Sequence, residues 1–397
     1  MCIDYHSSFN VYDKEEVKLN DSKKKLIELI GKYVFGFLAT LSLFYFMDRG
    51  GYEKYAIAAA LSVLFLFLGR KKEWNIMTVL IGAIPVMVYI LVGSMSGMIH
   101  GTYQISTIKN ILYNLLPLLF SFSMFVFYGT ESNWMVDWQF AACFLTYIMP
   151  NAWIMVLGYT WESTFAFSYG IFSIYYAYRK RWLLFGCSML FMYLADKRIA
   201  LLGVVIALLF MAVIWLFQNS KKVIFTIWTL VIGLIYGYLY LIYSGTLEAA
   251  CWGLNVNTNG RVQMYTRMAN QYDFLSGFLG NGIGIMENLL DHLQIDTYAN
   301  LHNDLLKFYI ELGFIGFLIY LISYYLIFHL TEKYFGKKEM CFLLGISIYS
   351  MLLFATDNVS IYLMYLIPFY STIFAVLSSN RKNIVQQRRL FDDKENN

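Results

Sequence analysis

The sequence predicts an all-α polytopic integral membrane protein, and two observations support that fold class. Hydrophobic residues make up 59% of the 397 residues and charged residues only 14%, whereas about a quarter of a soluble domain is charged. Apolar runs of membrane-spanning length also recur along nearly the whole chain. The first 25 residues are polar and rich in lysine, and the first apolar run is too long for a signal-peptide core, so no cleaved leader is expected.

The apolar runs predict twelve transmembrane helices. Short turns join most of them, and a few of the runs are shorter than a typical span. The predicted spans are residues 26–47, 54–69, 74–95, 110–129, 138–158, 163–178, 182–196, 199–217, 223–243, 305–329, 340–355 and 359–378.

The distribution of basic residues predicts the orientation of these helices. With twelve spans, both termini lie on the same side, and the loops and tails of that side carry 21 Lys and Arg, against seven on the other side. Because cytoplasmic loops are enriched in Lys and Arg, both termini are predicted to be cytoplasmic. The formal net charge of +4 is then explained by basic residues at cytoplasmic membrane edges, and no nucleic-acid partner is implied.

One long connection divides the predicted helices into two groups. Helices one to nine occupy residues 26–243 and helices ten to twelve occupy 305–378, with a cytoplasmic N-terminal tail at 1–25 and a basic C-terminal tail at 379–397. The connection at 244–304 has 61 residues and is predicted to be extracytoplasmic. A loop of that length usually has structure and function of its own, so we expect the functional site there.

The basic residues of this long loop are arginines. The loop contains Arg261, Arg267 and six carboxylates, but no lysine. The planar guanidinium group binds phosphate or carboxylate with two parallel hydrogen bonds, which favours recognition of an anion. A simple balance of acidic neighbours explains two arginines about equally well.

Two more basic residues lie between the predicted seventh and eighth spans, in YLADKRIALLG (193–203). The preceding basic turn leaves about 15 residues for the seventh span, or roughly 22 Å of helix, which is less than the roughly 30 Å hydrocarbon core. Lys197 and Arg198 are therefore expected below the membrane surface, facing protein or a water-filled cavity. Ionisable groups at that depth are functional candidates. The alternative is a snorkelling pair offset by Asp196.

A polar cluster directly precedes the tenth apolar run, in ANLHNDLLKFYIELGFIGFLIYLI (299–322). His302 stands at the predicted outer end of this span, where it is placed to act as a base near neutral pH on a substrate at the membrane surface. A lone histidine at an interface is otherwise more often structural. Gly313 and Gly316 provide a small-residue surface for close helix packing.

The start of the same helix carries three charged residues. If the helix begins near Asp304, then Asp304, Lys307 and Glu311 lie on one face. We expect Lys307 to pair with one of the two carboxylates, because such a pair lowers the cost of entering the outer edge of the membrane.

The stretch FLGNGIGI (278–285) contains Gly280, Gly282 and Gly284. Without a βαβ unit it does not indicate a dinucleotide site, but it is typical of a turn at which the backbone approaches something closely. No spacing of histidines with carboxylates indicates a metal site. Cys251 is the one cysteine of the predicted outer loops, so no disulfide framework is expected there.

Four segments between residues 196 and 321 resemble, in chain order, the motifs of the O-antigen ligase and repeat-unit polymerase superfamily of bacterial envelope glycan synthesis. They are DKRIALLG, where the family commonly has Ser-Arg before a small-apolar helix, NGRVQMY, LGNGIGI and LHNDLLKFYIELGFIGFLIYL. Twelve spans with a long outer loop before the tenth also resemble this family. The sequence departs from the pattern at 196–198, where Asp-Lys-Arg replaces Ser-Arg.

The resemblance implies a C-type glycosyltransferase in the bacterial cytoplasmic membrane, with its active site on the extracytoplasmic side. Its donor is a glycan on undecaprenyl diphosphate and its acceptor is a hydroxyl group; it needs neither nucleotide sugar nor metal nor other cofactor. Attack opposite the diphosphate inverts the anomeric carbon. A flippase and a chain-length regulator of the same pathway are possible partners besides the lipid bilayer.

The resemblance also implies roles for individual residues. The expected catalytic residues are Arg198 and Arg261 on the donor diphosphate, His302 on the acceptor hydroxyl, and Glu311 supporting His302 or the helix end. The expected substrate-binding residues are Lys197, Arg267, Asn303, Gly282 and Gly284.

Three functions remain open from the sequence. A polymerase joins lipid-linked repeat units, and we favour it because it is the commoner role in the family. A ligase moves finished glycan to another acceptor, such as a lipid A core. A transporter or flippase predicts charges near the bilayer midplane and an internal repeat; we find no repeat, and the charges cluster at the outer edge.

Overall fold

A computed structural model describes residues 9–47, 51–69, 76–157, 162–217, 220–255, 258, 260–292 and 301–379. Within these ranges the chain is all helical and contains no strand. The α-helices of this part of the chain are α1 (Phe9–Met47), α2 (Glu53–Leu68), α3 (Ile76–His100), α4 (Ile105–Tyr128), α5 (Asn133–Cys143), α6 (Met149–Val156), α7 (Phe165–Tyr178), α8 (Trp182–Leu194), α9 (Arg198–Leu216), α10 (Ser220–Tyr243), α11 (Thr246–Gly253), α12 (Arg261–Met268), α13 (Ile285–His292), α14 (Asp304–Tyr334), α15 (Lys337–Phe354) and α16 (Leu363–Ser379).

Within the described residues, each of the twelve apolar runs overlaps a helix, and a π-helical turn joins α5 to α6 within the fifth run. Among the described residues, six helical segments are long and apolar enough to cross a membrane; they are Leu29–Met47, Ile76–His100, Ile105–Tyr128, Arg198–Leu216, Lys221–Tyr243 and Asp304–Tyr334. Two shorter apolar helices are Trp182–Leu194 and Leu363–Ser378. The chain is therefore a polytopic membrane protein, while the count of twelve spans and their orientation stay predictions.

The predicted tails are only partly within the described residues. Helix α1 begins at Phe9, so helix starts inside the segment that the sequence predicts as an N-terminal tail. Residues 380–397, nearly all of the predicted C-terminal tail, lie outside the described residues. So does Asn259, the first residue of the NGRVQMY motif.

The outward surface of the helices is apolar. Phe67, Trp215 and Leu234 are 86%, 74% and 74% exposed. In a soluble protein such large exposed apolar side chains, repeated along several helices, would form an aggregation-prone surface. In a bilayer they contact lipid chains, so this surface agrees with the membrane assignment.

The interior is held together by aromatic side chains that fill glycine gaps between helices. Tyr349 of α15 is fully buried and lies against Gly170 of α7 and Gly203 of α9. A Cβ atom added at Gly170 would lie 2.0 Å from the Tyr349 hydroxyl oxygen, which donates to the carbonyl of Phe167 at 2.9 Å. Small residues thus allow three helices to approach closely, as is common in membrane bundles.

Helix α14 is broken at Gly313, which has φ +76° inside an otherwise helical segment. The break leaves the carbonyls of Ile310 and Glu311 without their intrahelical donors. They accept instead from the backbone N–H groups of Asn281 and Gly282, at 2.8 and 3.0 Å. Since unpaired backbone groups are costly inside a membrane protein, the glycine-rich segment supplies what the kink removes.

That segment, residues 278–284, is named here the glycine turn. The N–H of Phe314 donates to the carbonyl of Phe278 at 2.9 Å, which completes the pairing with the kinked helix. Gly280 packs directly on the kink, since a Cβ atom built there would lie 2.3 Å from the backbone nitrogen of Gly313. The close backbone approach predicted for these glycines is therefore an approach to α14.

Hydroxyl groups hold the opposite edge of the glycine turn. The donors are Ser96 of α3, Thr102 of the loop after it and Thr107 of α4. They donate to every second carbonyl of the turn, at 2.8, 2.6 and 2.8 Å. The turn is thus hydrogen-bonded on both edges, like a short strand between two partners. It fixes the long connection against α3, α4 and α14.

Candidate active site

His302 lies in the turn immediately before α14, in the left-handed conformation with φ +52°. Histidine is among the few non-glycine residues that adopt this conformation, at a cost of order 1 kcal/mol or more. The hydroxyl of Tyr265 in α12 donates to the carbonyl of His302 at 2.7 Å. This contact fixes the backbone turn that directs the imidazole ring.

The imidazole ring faces a carboxylate. His302 Nδ1 lies 3.2 Å from Asp357 Oδ1, and the two side chains are 26% and 4% exposed. Asp357 belongs to residues 355–362, which join α15 to α16 and are named here the site turn. The sequence separation of 55 residues is bridged because α14 and α15 pack side by side.

Several groups stabilise the charged form of Asp357. Its carboxylate accepts from the backbone N–H of Asn358 at 2.8 Å and from the Tyr362 hydroxyl at 3.2 Å. Burial raises the pKa of Asp357, but the hydrogen bonds from His302 and Asn358 and the charge of Lys197 outweigh it, so the net pKa lies below its ordinary value. An ionised carboxylate has no proton to donate, so His302 Nδ1 is the donor; in the neutral imidazole this leaves Nε2 as the acceptor.

Lys197 is the cation of this cluster. Its Nζ lies 3.7 Å from Asp357 Oδ2 and also pairs with Glu162, and its side chain is 13% exposed. The position agrees with the predicted protein-facing location. In the alternative of a snorkelling pair Asp196 offsets the charge, whereas in the structure Lys197 pairs with Glu162 and Asp357.

Arg198 differs from its neighbour. It is the first residue of α9 and is exposed, so its side chain is not packed against protein in the way that of Lys197 is. The reason is the direction of the chain, because consecutive residues at a helix start point to different sides. Arg198 is next to the cluster in sequence and not part of its packed core.

Arg261 reaches the site turn from the long connection. It is the first residue of α12, follows Gly260, and donates from Nη1 to the carbonyl of Thr356 at 2.9 Å. Thr356 directly precedes Asp357, so Arg261 and the His302–Asp357 pair share one turn. A guanidinium group has five N–H donors and this contact uses one. Arg267, at the end of the same helix, is exposed.

Glu311 lies elsewhere, and its predicted support of His302 is wrong. It is fully buried, with one carboxylate oxygen accepting from the Tyr89 hydroxyl at 2.6 Å and the other from the N–H of Gly284 at 2.9 Å. Two turns of helix separate it from His302 and direct it toward α3. Glu311 therefore holds the glycine turn against the kinked helix.

Lys307 and Asp304 also have other partners than predicted. Lys307 Nζ donates to Asn110 Oδ1 at 2.9 Å, and the ion pairs of the described residues include none between Lys307 and Asp304 or Glu311. The carboxylate of Asp304 accepts from the N–H and hydroxyl of Ser360, at 2.7 and 2.6 Å. These bonds attach the start of α14 to the site turn.

Three predicted substrate-binding residues are buried and make contacts within the protein. Asn303 is fully buried; its side chain caps α14 by accepting from Leu306 N at 3.0 Å and donates to the Tyr238 hydroxyl at 2.9 Å. Gly282 and Gly284 are buried against the backbones of α3 and α4. The substrate-binding assignments of these three residues are corrected accordingly, since no face of theirs is left for a ligand.

The site turn is what the sequence reasoning missed. Asp357 and Glu162 received no role, although each is a carboxylate in a short connection between two apolar runs. FATDNVSIY (354–362) lies on the same predicted membrane side as His302, and that coincidence was the available signal. The arrangement combines an oriented general base with two cations, which suits transfer to a hydroxyl acceptor from an anionic leaving group.

This geometry lies largely within a segment that is similar to a known family. Residues 182–321 match the O-antigen ligase family, a segment that runs from α8 past the kink of α14 and covers about a third of the chain. It includes Lys197, Arg261 and His302, while Asp357 lies outside it. No curated protein matches the chain.

The match confirms the resemblance to the O-antigen ligase and Wzy-type polymerase superfamily. The protein is a multi-pass membrane protein with a segment similar to this family, and that similarity points to an enzyme of lipid-linked polysaccharide assembly. The family domain does not distinguish a polymerase from a ligase.

Proposed function

We propose that the protein is a polysaccharide repeat-unit polymerase that transfers a glycan from undecaprenyl diphosphate to a hydroxyl of another lipid-linked repeat unit. The observation that carries this proposal is the His302–Asp357 pair, 3.2 Å apart, beside Lys197 and Arg261 at one end of a membrane bundle. A base and cations at such a boundary suit a substrate that is part lipid, part diphosphate and part sugar.

The proposed reaction is a single displacement. His302 Nε2 takes the proton of the acceptor hydroxyl while its oxygen attacks the anomeric carbon of the donor. The bond from that carbon to the diphosphate oxygen breaks, and undecaprenyl diphosphate leaves with the electron pair. Asp357 keeps the imidazole in the required tautomer and stabilises its positive charge. Attack opposite the leaving group inverts the anomeric configuration.

Cationic side chains stabilise the leaving diphosphate in this proposal. Lys197 and Arg261 lie next to Asp357 and supply fixed positive charge, and the exposed Arg198 and Arg267 are secondary partners for the phosphates. With these cations the transfer is proposed to be independent of metal. We expect EDTA to leave the transfer rate of reconstituted enzyme unchanged, and a requirement for Mg²⁺ would contradict this part.

The proposed orientation puts the site on the extracytoplasmic face of the bacterial cytoplasmic membrane. The distribution of basic residues supports it, because with the predicted twelve spans and cytoplasmic termini most of them lie inside. A flippase and a chain-length regulator are the expected neighbours in the pathway. A cysteine placed at exposed Leu254 in a variant that lacks Cys251 tests the orientation, since a membrane-impermeant thiol reagent should label it in intact cells.

Deletion of the gene in its native host tests the function directly. With a polymerase, the ladder of surface glycan on a gel collapses to single lipid-linked repeat units. If a full-length polymer instead accumulates on its lipid carrier, the protein is a ligase that uses the same residues on another acceptor. Unaltered surface and lipid-linked glycans would contradict both functions.

A further inference from the structure

A polar cavity lies beside the proposed active site and has no role in the reaction described above. It has a volume of about 190 Å³, which is room for several water molecules or one sugar ring. Leu301 and Asn358 line it, and they are the chain neighbours of His302 and Asp357. We name it the side cavity; its other lining residues include Tyr55, Lys109, Asn110, Tyr113, Asp304 and Lys307.

One buried donor in the wall has no partner. Asn358 is 4% exposed, and its Nδ2 makes no hydrogen bond within the described structure. Buried polar groups are nearly always hydrogen-bonded, so this unpaired amide is a candidate donor to a ligand group in the cavity. Lys307 adds donors to the same cavity, because an ammonium has three and its contact with Asn110 uses one.

Two tyrosine rings form another part of the wall. Tyr55 of α2 and Tyr113 of α4 stack with ring centroids 4.7 Å apart and planes at 22°, and both are half-buried. An aromatic face beside hydrogen-bond donors matches a sugar ring, which has apolar C–H faces and polar hydroxyl edges. A cavity for water alone does not need the aromatic wall.

The charges of the wall favour a neutral ligand over a phosphate. Lys109 pairs with Glu287 at 3.0 Å at the outer edge of the cavity, and Lys307 shares the wall with the Asp304 carboxylate. Lys109 is thus paired with a carboxylate, and a second carboxylate, that of Asp304, lines the cavity together with Lys307. A phosphate site requires excess positive charge, as around Arg261, whereas a sugar requires donors and acceptors without net charge.

We propose that the side cavity binds a sugar ring of the acceptor glycan, with the Tyr55–Tyr113 pair against its apolar face and Asn358 and Lys307 on its hydroxyls. The inference rests on the proposed function and adds the site that presents the acceptor to His302. It assigns donor and acceptor to different residues: Arg261 and Lys197 hold the diphosphate, and the side cavity holds the sugar.

Binding of a defined oligosaccharide tests this assignment without any transfer reaction. The probe is the repeat-unit oligosaccharide released from the host's lipid-linked pool by mild acid, titrated into full-length protein in nanodiscs. We expect Tyr113→Ala to weaken its binding about five- to tenfold, the range of an aromatic contact, and Asn358→Ala to weaken it by a similar factor. Tyr113→Phe, which keeps the ring, should bind like the wild type.

Two further measurements separate the possible outcomes. Undecaprenyl diphosphate should bind the Tyr113→Ala variant as tightly as it binds the wild type; weaker binding would assign the cavity to the donor and overturn the inference. Tyr193→Ala, the loss of a tyrosine that is 71% exposed and outside the cavity, is the matched control. Equal oligosaccharide binding by the wild type and Tyr113→Ala would also overturn the inference. Failure of the proposed function appears separately, as absent transfer by wild-type enzyme.

Discussion

The site turn and the glycine turn hold two family-like motifs in different ways. At the site turn the contacts are between side chains. His302 and Lys197 bind Asp357 of the turn by hydrogen bond and charge, and the His302 side chain is 26% exposed. In the glycine turn the groups held are backbone N–H and C=O groups; α14 binds one edge, hydroxyl groups bind the other, and the three glycines are buried. The first arrangement leaves reactive atoms accessible, and the second leaves none.

The comparison shows that recurring motifs of one segment serve two purposes. Glu311 and the glycines occur within the same 40 residues as His302, yet they close a backbone gap created by the kink at Gly313. Loss of the site turn should therefore remove catalysis from a folded protein, whereas loss of the glycine turn should remove folded protein. The variants described next test that difference.

His302→Ala should have the largest effect on activity. Because it removes the base that is assigned to the acceptor hydroxyl, we expect the transfer rate to fall about 10²- to 10⁴-fold. The measurement is transfer by purified protein in nanodiscs, normalised to the folded fraction. His292→Ala, at an exposed histidine of the same connection, is the control and should keep wild-type activity. Near-normal transfer by His302→Ala would remove His302 from the mechanism.

Asp357→Asn should come next. The neutral amide cannot stabilise the imidazolium and permits the wrong tautomer, so we expect a loss toward the lower end of the roughly 10²- to 10⁴-fold range of general-base catalysis, with little change in the oligosaccharide concentration at half-maximal rate. Asp273→Asn, at an exposed carboxylate of the long connection, is the matched control. A raised half-saturation at unchanged maximal rate would make Asp357 a binding residue instead of a positioning residue.

Gly280→Ala tests the other turn. A Cβ atom there meets the Gly313 nitrogen at 2.3 Å, and the residue has φ +80°. We therefore expect a loss of roughly 1–3 kcal/mol from backbone strain alone, seen as less monodisperse protein and a lower Tm. Gly277→Ala adds a Cβ atom with nothing within 4 Å and should change little. A Gly280→Ala protein that is stable but inactive would place the glycine turn in the reaction.

The fold class was predictable because apolar composition and run length identify membrane helices without any knowledge of contacts between distant residues. Arg261, Lys197 and His302 could also be selected from the sequence, because basic residues and histidine are unusual at those positions next to apolar runs. The positions of the helix ends were less certain, since α1 starts at Phe9, where the sequence is still polar.

The contact partners of the candidate site residues were harder to predict than the candidate residues themselves. The carboxylate beside His302 is that of Asp357, 55 residues away in sequence. Glu311 was predicted instead because it is only nine residues away, in the helix that follows His302. Nothing local in the sequence shows that Gly313 breaks the helix, yet that break is why the glycine turn and Glu311 are structural. Side-chain direction and helix pairing, which periodicity alone does not give, decided both cases.

The smallest expected effect is a pH dependence of stability that comes from Asp357. Its pKa is lowered in the fold, so its ionised form stabilises the folded protein fully above the unfolded pKa of about 4, and this contribution is lost as the pH falls through the folded pKa. At pH 5–8 we expect Asp357→Asn to unfold a few degrees below the wild type, since about 1 kcal/mol shifts Tm by roughly 2–4 °C. Below about pH 4 the gap should narrow, because the wild type alone loses a charge there. Thermal unfolding in detergent across pH 3–8 measures it, and a gap that widens on acidification would mean that Asp357 does not hold its charge in the fold.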